Sequence, residues 1–178
     1  KDMILIRNHH NNIKKKIFSK IPPRAHILDI GAGKGGDLYK YPPGSSVVAV
    51  DPSKKNLEEF RMRYQSMKDT EYKPRVNFVN GDILTSVKKI EALGVDQVDV
   101  VTLMLSASFF WESPESVRKL AEVINKFVKP GGTLAIFTIN GDVLRQYLHL
   151  NPDYNNLGLK ISLKPWTRGE GQVVEIDF

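Results

Sequence analysis

Residues Ile27-Leu28-Asp29-Ile30-Gly31-Ala32-Gly33-Lys34-Gly35-Gly36-Asp37-Leu38 form an apolar run that breaks into four glycines, which leaves the chain few ways to fold there. Glycine tolerates positive φ and carries no Cβ, so the backbone can double back and lie against a ligand. The expectation is a strand, a sharp turn and a helix beginning near Gly35, with a nucleotide-like ligand at the turn. Gly31, Gly33 and Gly36 also satisfy the spacing of a dinucleotide-binding fingerprint, and such turns occur in sheets that bind nothing. The glycines alone therefore leave the ligand open.

Acids at the ends of three successive apolar runs narrow the choice. Asp29 precedes the glycines, Asp51 closes Val47-Val48-Ala49-Val50, and Asp82 follows Val76-Asn77-Phe78-Val79-Asn80-Gly81. In a parallel sheet whose ligands sit beyond the carboxyl ends of the strands, these acids would line one crevice. A carboxylate placed as Asp51 is, about 20 residues after the first glycine, can accept hydrogen bonds from ribose hydroxyls, in NAD and in S-adenosylmethionine alike. It marks an adenosine, not a particular cofactor. Asp29 favours the methyl donor, because the strand entering a dinucleotide turn is usually apolar up to its first glycine. Asp82 adds to this, being placed to accept from an adenine amino group. Each acid could instead be a helix cap or a solvated strand end.

At 178 residues, 41% of them apolar and 26% charged, the chain is long enough for one sizeable core, and the expectation is a single domain. The absence of cysteine rules out disulfides and suits a reducing compartment. No run approaches the roughly 18 apolar residues of a membrane span, and the start does not read as a signal peptide, so no membrane partner is expected. The net charge of +6 points to an acidic, phosphate-bearing partner or to a solubilising surface. Lys14, Lys15, Lys16, Lys20 and Arg24 make the densest basic segment, directly after Asn8-His9-His10-Asn11-Asn12.

A coarse pass along the chain predicts a helix over residues 8–20, stopped by Pro22-Pro23. Strands are expected near 26–30, 46–50, 75–79, 97–104 and 132–138. Helices should begin near Gly35, Lys54, Thr85 and Ser113, the last with Pro114 in its first turn. Lys129-Pro130-Gly131-Gly132 reads as a helix stop, and a further helix is expected near 142–150. Segments 159–163 and 172–178 alternate like strands about Gly169-Glu170-Gly171 and predict a closing antiparallel hairpin. The fold class is therefore α/β, a mostly parallel central sheet with helices on both faces and a hairpin at its carboxyl-terminal end, Rossmann-like in the manner of S-adenosylmethionine-dependent methyltransferases.

The assembled pattern resembles the messenger RNA cap guanine-N7 methyltransferases over roughly residues 4–178. Their glycine turn reads much like residues 28–40 here, and the continuation Lys34-Gly35-Gly36-Asp37-Leu38 is more specific than the glycines. Their amino-terminal Arg-Asn, Asn and Lys match Arg7, Asn8, Asn11 and Lys14. Arg63-Tyr64-Gln65-Ser66-Met67 looks like their Arg-Tyr segment, and Phe110-Trp111-Glu112-Ser113 like their aromatic-Glu-Ser segment. Within the family the chain looks most like the methyltransferase domain of a large DNA virus capping enzyme.

The resemblance implies that Lys14 reaches the methionine carboxylate of S-adenosylmethionine, that Gly31 lies against the donor, that Asp51 binds its ribose and that Asp82 faces its adenine. Asp29, Gly33, Ile83, Met104 and Phe109 complete the expected donor site, with the amino-terminal helix covering it. His10, Asn11, Lys34, Lys40, Arg63 and Ser108 fall where the family contacts the cap guanosine and its phosphates. Ser108-Phe109 stands where the family usually has His-Tyr, and Met104 where it has Gln. The family also continues past Phe178, so the chain reads as a fragment of a longer domain or protein.

The implied reaction is in-line displacement by guanine N7 on a sulfonium methyl, with no catalytic acid, base or metal. The implied partner is 5′-capped RNA, together with triphosphatase and guanylyltransferase domains of the same chain or a stimulatory subunit. Such chemistry fits a cytoplasmic setting, a virion or viral factory for a viral protein, or the nucleus for a cellular one. The alternatives are a methyltransferase with another substrate, an NAD dehydrogenase, for which the four histidines offer no clear acid, and a non-catalytic module that keeps the fold and binds RNA or a partner.

Overall fold

The structure is a computed structural model and describes residues 2–150, 153–156, 159–163 and 174–177. These form two compact units, residues 14–138 and residues 1–13 with 139–178. The larger holds five parallel strands, β1 (His26–Ile30), β2 (Ser46–Asp51), β3 (Arg75–Asn80), β4 (Val98–Met104) and β5 (Val128–Phe137), in the order β3-β2-β1-β4-β5. The order reverses between β1 and β4, the place where open α/β sheets bind ligands beyond their carboxyl ends.

Alternation along the strands splits the core between the two faces of the sheet. Leu28, Ile30, Val48, Val50, Val101 and Leu103 pack on one face with helix α4 (Pro114–Phe127). That helix buries Leu120, Val123, Ile124 and Phe127, the spacing of a single apolar stripe. Ile27, Val47, Ala49 and Val100 face the other way and meet Phe18 from the end of α1 (Asp2–Phe18) and Leu57 and Phe60 from α2 (Lys54–Gln65). Ser113 caps α4 by accepting from the Ser116 N–H at 3.1 Å, with Pro114 in the first turn as expected.

Three expectations need correction. No α-helix follows the first glycine turn: residues Leu38–Lys40 make one 3-10 turn. Pro42 is the reason, because it holds Tyr41 extended at φ −57° and ψ 140°. The Lys129-Pro130-Gly131-Gly132 segment is not the helix stop, since α4 ends at Phe127 and the segment lies inside an irregular start of β5. There the pairing of β4 with β5 slips between Val98 and Val100. The helix expected at Thr85 is a 3-10 turn (Ile83–Thr85) followed by the short α3 (Val87–Glu91).

In the smaller unit, α5 (Gly141–Leu150) starts from Asn140, whose Oδ1 accepts from the N–H groups of Asp142 and Val143. The carboxyl-terminal segments pair antiparallel as expected, β7 (Leu159–Leu163) with β8 (Val174–Asp177), but in a sheet of their own and not at the end of the parallel one. The sequence reading missed β6 (Asp153–Asn156), which pairs with β7 to make a three-stranded sheet. The Gly169-Glu170-Gly171 turn lies outside the described residues.

Gly35 sets the distance between the glycine turn and α2. Its φ is +75°, and a Cβ there would stand 2.4 Å from Cδ2 of Phe60. Gly36 has no neighbour within 4 Å of that position and no positive φ. Gly35→Ala should therefore destabilise the fold by about 1–3 kcal/mol from backbone strain alone, with the clash in addition. Gly36→Ala should stay within roughly 0.5 kcal/mol of the parent. Urea unfolding of the two variants checks the contrast, and equal effects would contradict it.

Candidate functional site

Asp51 ends β2 almost fully buried, 6% exposed, with one oxygen on the glycine turn and the other on the start of α2. Oδ2 accepts from the Gly33 N–H at 2.8 Å, and Oδ1 accepts from the Ser53 N–H at 2.9 Å and from Nδ2 of Asn56 at 3.4 Å. The Gly31 and Ala32 N–H groups donate to the Val50 carbonyl just before it. One carboxylate thus fastens the turn after β1 to the end of β2. Oδ2 keeps one acceptor position for a ribose hydroxyl, while Oδ1 already holds two donors, the Asn56 one at the long distance of 3.4 Å.

The glycines of the turn divide by what surrounds them. A Cβ on Gly31 (φ +75°) would stand 2.4 Å from Cβ of Ser106, so this glycine is demanded by packing against the loop after β4. Gly33 (φ +56°) opens onto space, with nothing within 4 Å of where a Cβ would be. That open side, beside the Asp51 carboxylate, is where backbone can meet a ligand.

Ser106 donates from Oγ to the Ile30 carbonyl at 2.6 Å, joining the ends of β1 and β4. Its neighbour Leu105 sits at φ +67°, a left-handed conformation rare for leucine, and its N–H reaches the Phe137 carbonyl. Neither residue was singled out in the sequence, where nothing distinguishes them from other residues at a strand end.

Asp29 does not line the crevice as expected. It is 2% exposed, and its oxygens accept from Tyr41 Oη at 2.5 Å and Thr102 Oγ1 at 2.8 Å. Burial is the largest influence on its carboxyl group and, with nearby Asp37, pushes the pKa from 3.8 up to about 6 against the opposing hydrogen bonds. The Tyr41 hydroxyl is pushed well above its ordinary range, first by burial and then by the Asp29 charge. Asp29 therefore shapes the turn from behind.

The acid that sequence reasoning left without a role is Asp37. Lys14 Nζ stands 2.9 Å from its Oδ2 and Lys40 Nζ 3.0 Å from its Oδ1, all three side chains being mostly buried. The signal was present in the Lys34-Gly35-Gly36-Asp37-Leu38 continuation, read only as a family mark. Lys14 is thus held at the turn. Lys40 departs from its expected place at the cap phosphates, because its ammonium is turned inward onto Asp37 and the Gly36 carbonyl.

The remaining expected residues are distributed around this centre. Asp82 is exposed and caps the turn after β3 by accepting from the Leu84 N–H at 2.9 Å, so the capping alternative is realised for one oxygen. Ile83 and Met104 are buried in the two core clusters, whereas Phe109 is 78% exposed and Ser108 beside it is exposed too. Lys34 and Arg63 meet at Glu59, with Lys34 Nζ at 3.3 Å and Arg63 Nη2 at 2.5 Å from its two oxygens. Those contacts hold the Glu59 carboxyl below its ordinary range, the Arg63 hydrogen bond most of all. His10 and Asn11 lie on α1 within the smaller unit. A polar depression lined by Arg24, Tyr64, Lys73 and Arg75 occupies the other end of the sheet, where β3 begins.

Comparison with known proteins places this geometry. Residues 1–163 match a family model described as the mRNA (guanine-N(7))-methyltransferase domain. The mRNA cap guanine-N(7) methyltransferase of Eremothecium gossypii is 32% identical over 142 residues, covering 73% of this chain and 31% of that protein. Its counterpart in Candida glabrata is 28% identical over 188 residues, covering 99% of this chain and 41% of that protein. The chain thus spans well under half the length of these curated relatives. An S-adenosylmethionine-dependent methyltransferase from Clostridium acetobutylicum superposes with a TM-score of 0.56 at 17% identity, over 94% of this chain and 71% of that one. The fold is the Rossmann-like one of that class.

The buried Asp29 carries a pH signature. Its folded pKa lies above its ordinary value, so its contribution to stability is fully present below about pH 4 and is lost as pH rises through about 6. The loss amounts to roughly 3 kcal/mol. Asp29→Asn should therefore gain stability relative to the parent between pH 4 and pH 7, read by urea unfolding across that range. A pH-independent difference would contradict the assignment.

Proposed function

The chain belongs to the mRNA cap guanine-N7 methyltransferase family, and from that premise we propose that it binds S-adenosylmethionine beyond the carboxyl ends of β1, β2 and β3 and methylates the 5′ guanosine cap of RNA at N7. The observation that carries the reading is the Asp51 carboxylate bonded to the Gly33 N–H beside open space. Bound there, S-adenosylmethionine supplies an electrophilic methyl group on a sulfonium.

The chain's own residues supply binding and alignment. Asp51 accepts from the ribose, and Asp82 offers its second oxygen to the adenine amino group. Lys14, steadied by Asp37 at 2.9 Å, meets the methionine carboxylate. Gly31 and Gly33 present backbone, the exposed Phe109 ring supplies apolar surface, and the buried Ile83 and Met104 support the site from the core. Lys34 and Arg63 bind cap phosphates, and Ser108 contacts the guanosine.

Guanine N7 has a free lone pair at neutral pH, so the residues need not abstract a proton from it. Holding nucleophile and methyl in line is worth roughly 7–11 kcal/mol in favourable cases, which makes positioning the main contribution. The open side of Gly33 and the rigid ties of Asp51 and Ser106 are what such positioning needs.

Two outcomes are expected. Labelled methyl from S-adenosylmethionine should appear on guanosine-capped RNA and not on uncapped or already N7-methylated RNA. Donor binding without transfer would instead favour a non-catalytic RNA-binding module. Asp51→Asn should weaken S-adenosylhomocysteine by about 2 kcal/mol, roughly thirtyfold, because a charged acceptor is lost. Calorimetry checks this, and unchanged affinity would remove Asp51 from the donor site.

A further inference from the structure

Two cations from different elements converge on a single carboxylate beside the glycine turn. Lys34 comes from the turn and Arg63 from the last turn of α2, and each takes one oxygen of Glu59, at 3.3 Å and 2.5 Å. The Arg63 contact, like that of Lys54 with Glu58, joins residues one helical turn apart on α2, so it is the Lys34 contact that is particular to this place. The Lys34 contact crosses from turn to helix because Gly35 rests on the Phe60 ring and brings its neighbour within reach. The three side chains stay well hydrated, at 55%, 45% and 32% exposure for Lys34, Arg63 and Glu59.

We propose that Glu59 is a stand-in for a ligand phosphate, holding Lys34 and Arg63 converged until the triphosphate bridge of a capped RNA displaces it. Arg63 and Lys34 each donate to one oxygen of Glu59, and the same two donors, held that far apart, suit two oxygens of a phosphate. Exposed ion pairs are individually weak, so a bridge bearing several negative charges can exchange with the carboxylate. After exchange, Glu59 remains close by as a like charge and opposes the ligand. Glu59 therefore organises the two cations and also limits affinity for polyphosphate ligands. The inference rests on the assignment of Lys34 and Arg63 to the cap phosphates.

The test is calorimetric titration of the 178-residue chain, Glu59→Gln and Arg63→Ala with the unmethylated dinucleotide cap GpppA, and with S-adenosylhomocysteine as a control. Glu59→Gln should bind GpppA roughly 3–10-fold more tightly, the scale of one nearby screened like charge. Its melting temperature and its affinity for S-adenosylhomocysteine should match the parent, and Arg63→Ala should bind GpppA more weakly. Equal or weaker GpppA binding by Glu59→Gln, with Arg63→Ala still impaired, would overturn the stand-in role and leave the cap assignment in place. GpppA binding that is absent from the parent, or indifferent to Arg63→Ala, would remove the cap assignment itself and the stand-in role with it.

Discussion

The hydrogen bond from the Gly33 N–H to the Asp51 carboxylate is the joint on which the site depends. It links two neighbouring strands at their carboxyl ends, where the backbone would otherwise end in unsatisfied donors. The left-handed turn needs an acceptor to fix it, and the carboxylate needs donors to be tolerated at 6% exposure. Each meets the other's requirement, and the Ser53 N–H adds a second donor. The adenosine end of the proposed donor then inherits a rigid surface.

Behind this joint lies a polar layer that a folded chain would not retain for stability alone. Asp29, Tyr41 and Thr102 form one hydrogen-bonded group, and Lys14, Asp37 and Lys40 form an adjoining ionic one. Burying such groups is at best neutral compared with apolar side chains of similar size. What they supply is orientation: Lys14 is held toward the turn by Asp37, and the turn is backed by Asp29. Lys40 neutralises the second oxygen of Asp37, whereas Lys34 and Arg63 stay exposed on Glu59.

The sequence was most legible where the chain obeys local rules. The apolar runs gave β1 to β4 within a residue or so, because alternation and buried β-branched side chains leave few alternatives. Ser113-Pro114 gave the start of α4. The helix at Gly35 failed because Pro42 overrides the glycine-to-helix pattern from seven residues on, a conflict between two local signals that only the structure resolves. The place of Asp51 beside the glycine turn was legible because it follows from strand-end position. Asp29 was misplaced because strand-end position does not say which face a side chain takes, and its pairing with Thr102 on β4 is a long-range fact. Asp37 and the inward turn of Lys40 belong to the same class: short-range spacing shows the charges and only tertiary packing shows their partners.

Backbone amide hydrogen exchange with and without S-adenosylhomocysteine tests the location of the donor site most directly. The account predicts slowed exchange in peptides covering residues 30–37, 51–56 and 80–84, with residues 69–75 at the other end of the sheet unchanged. Protection centred on residues 69–75, or none in the 30–37 peptide, would contradict it.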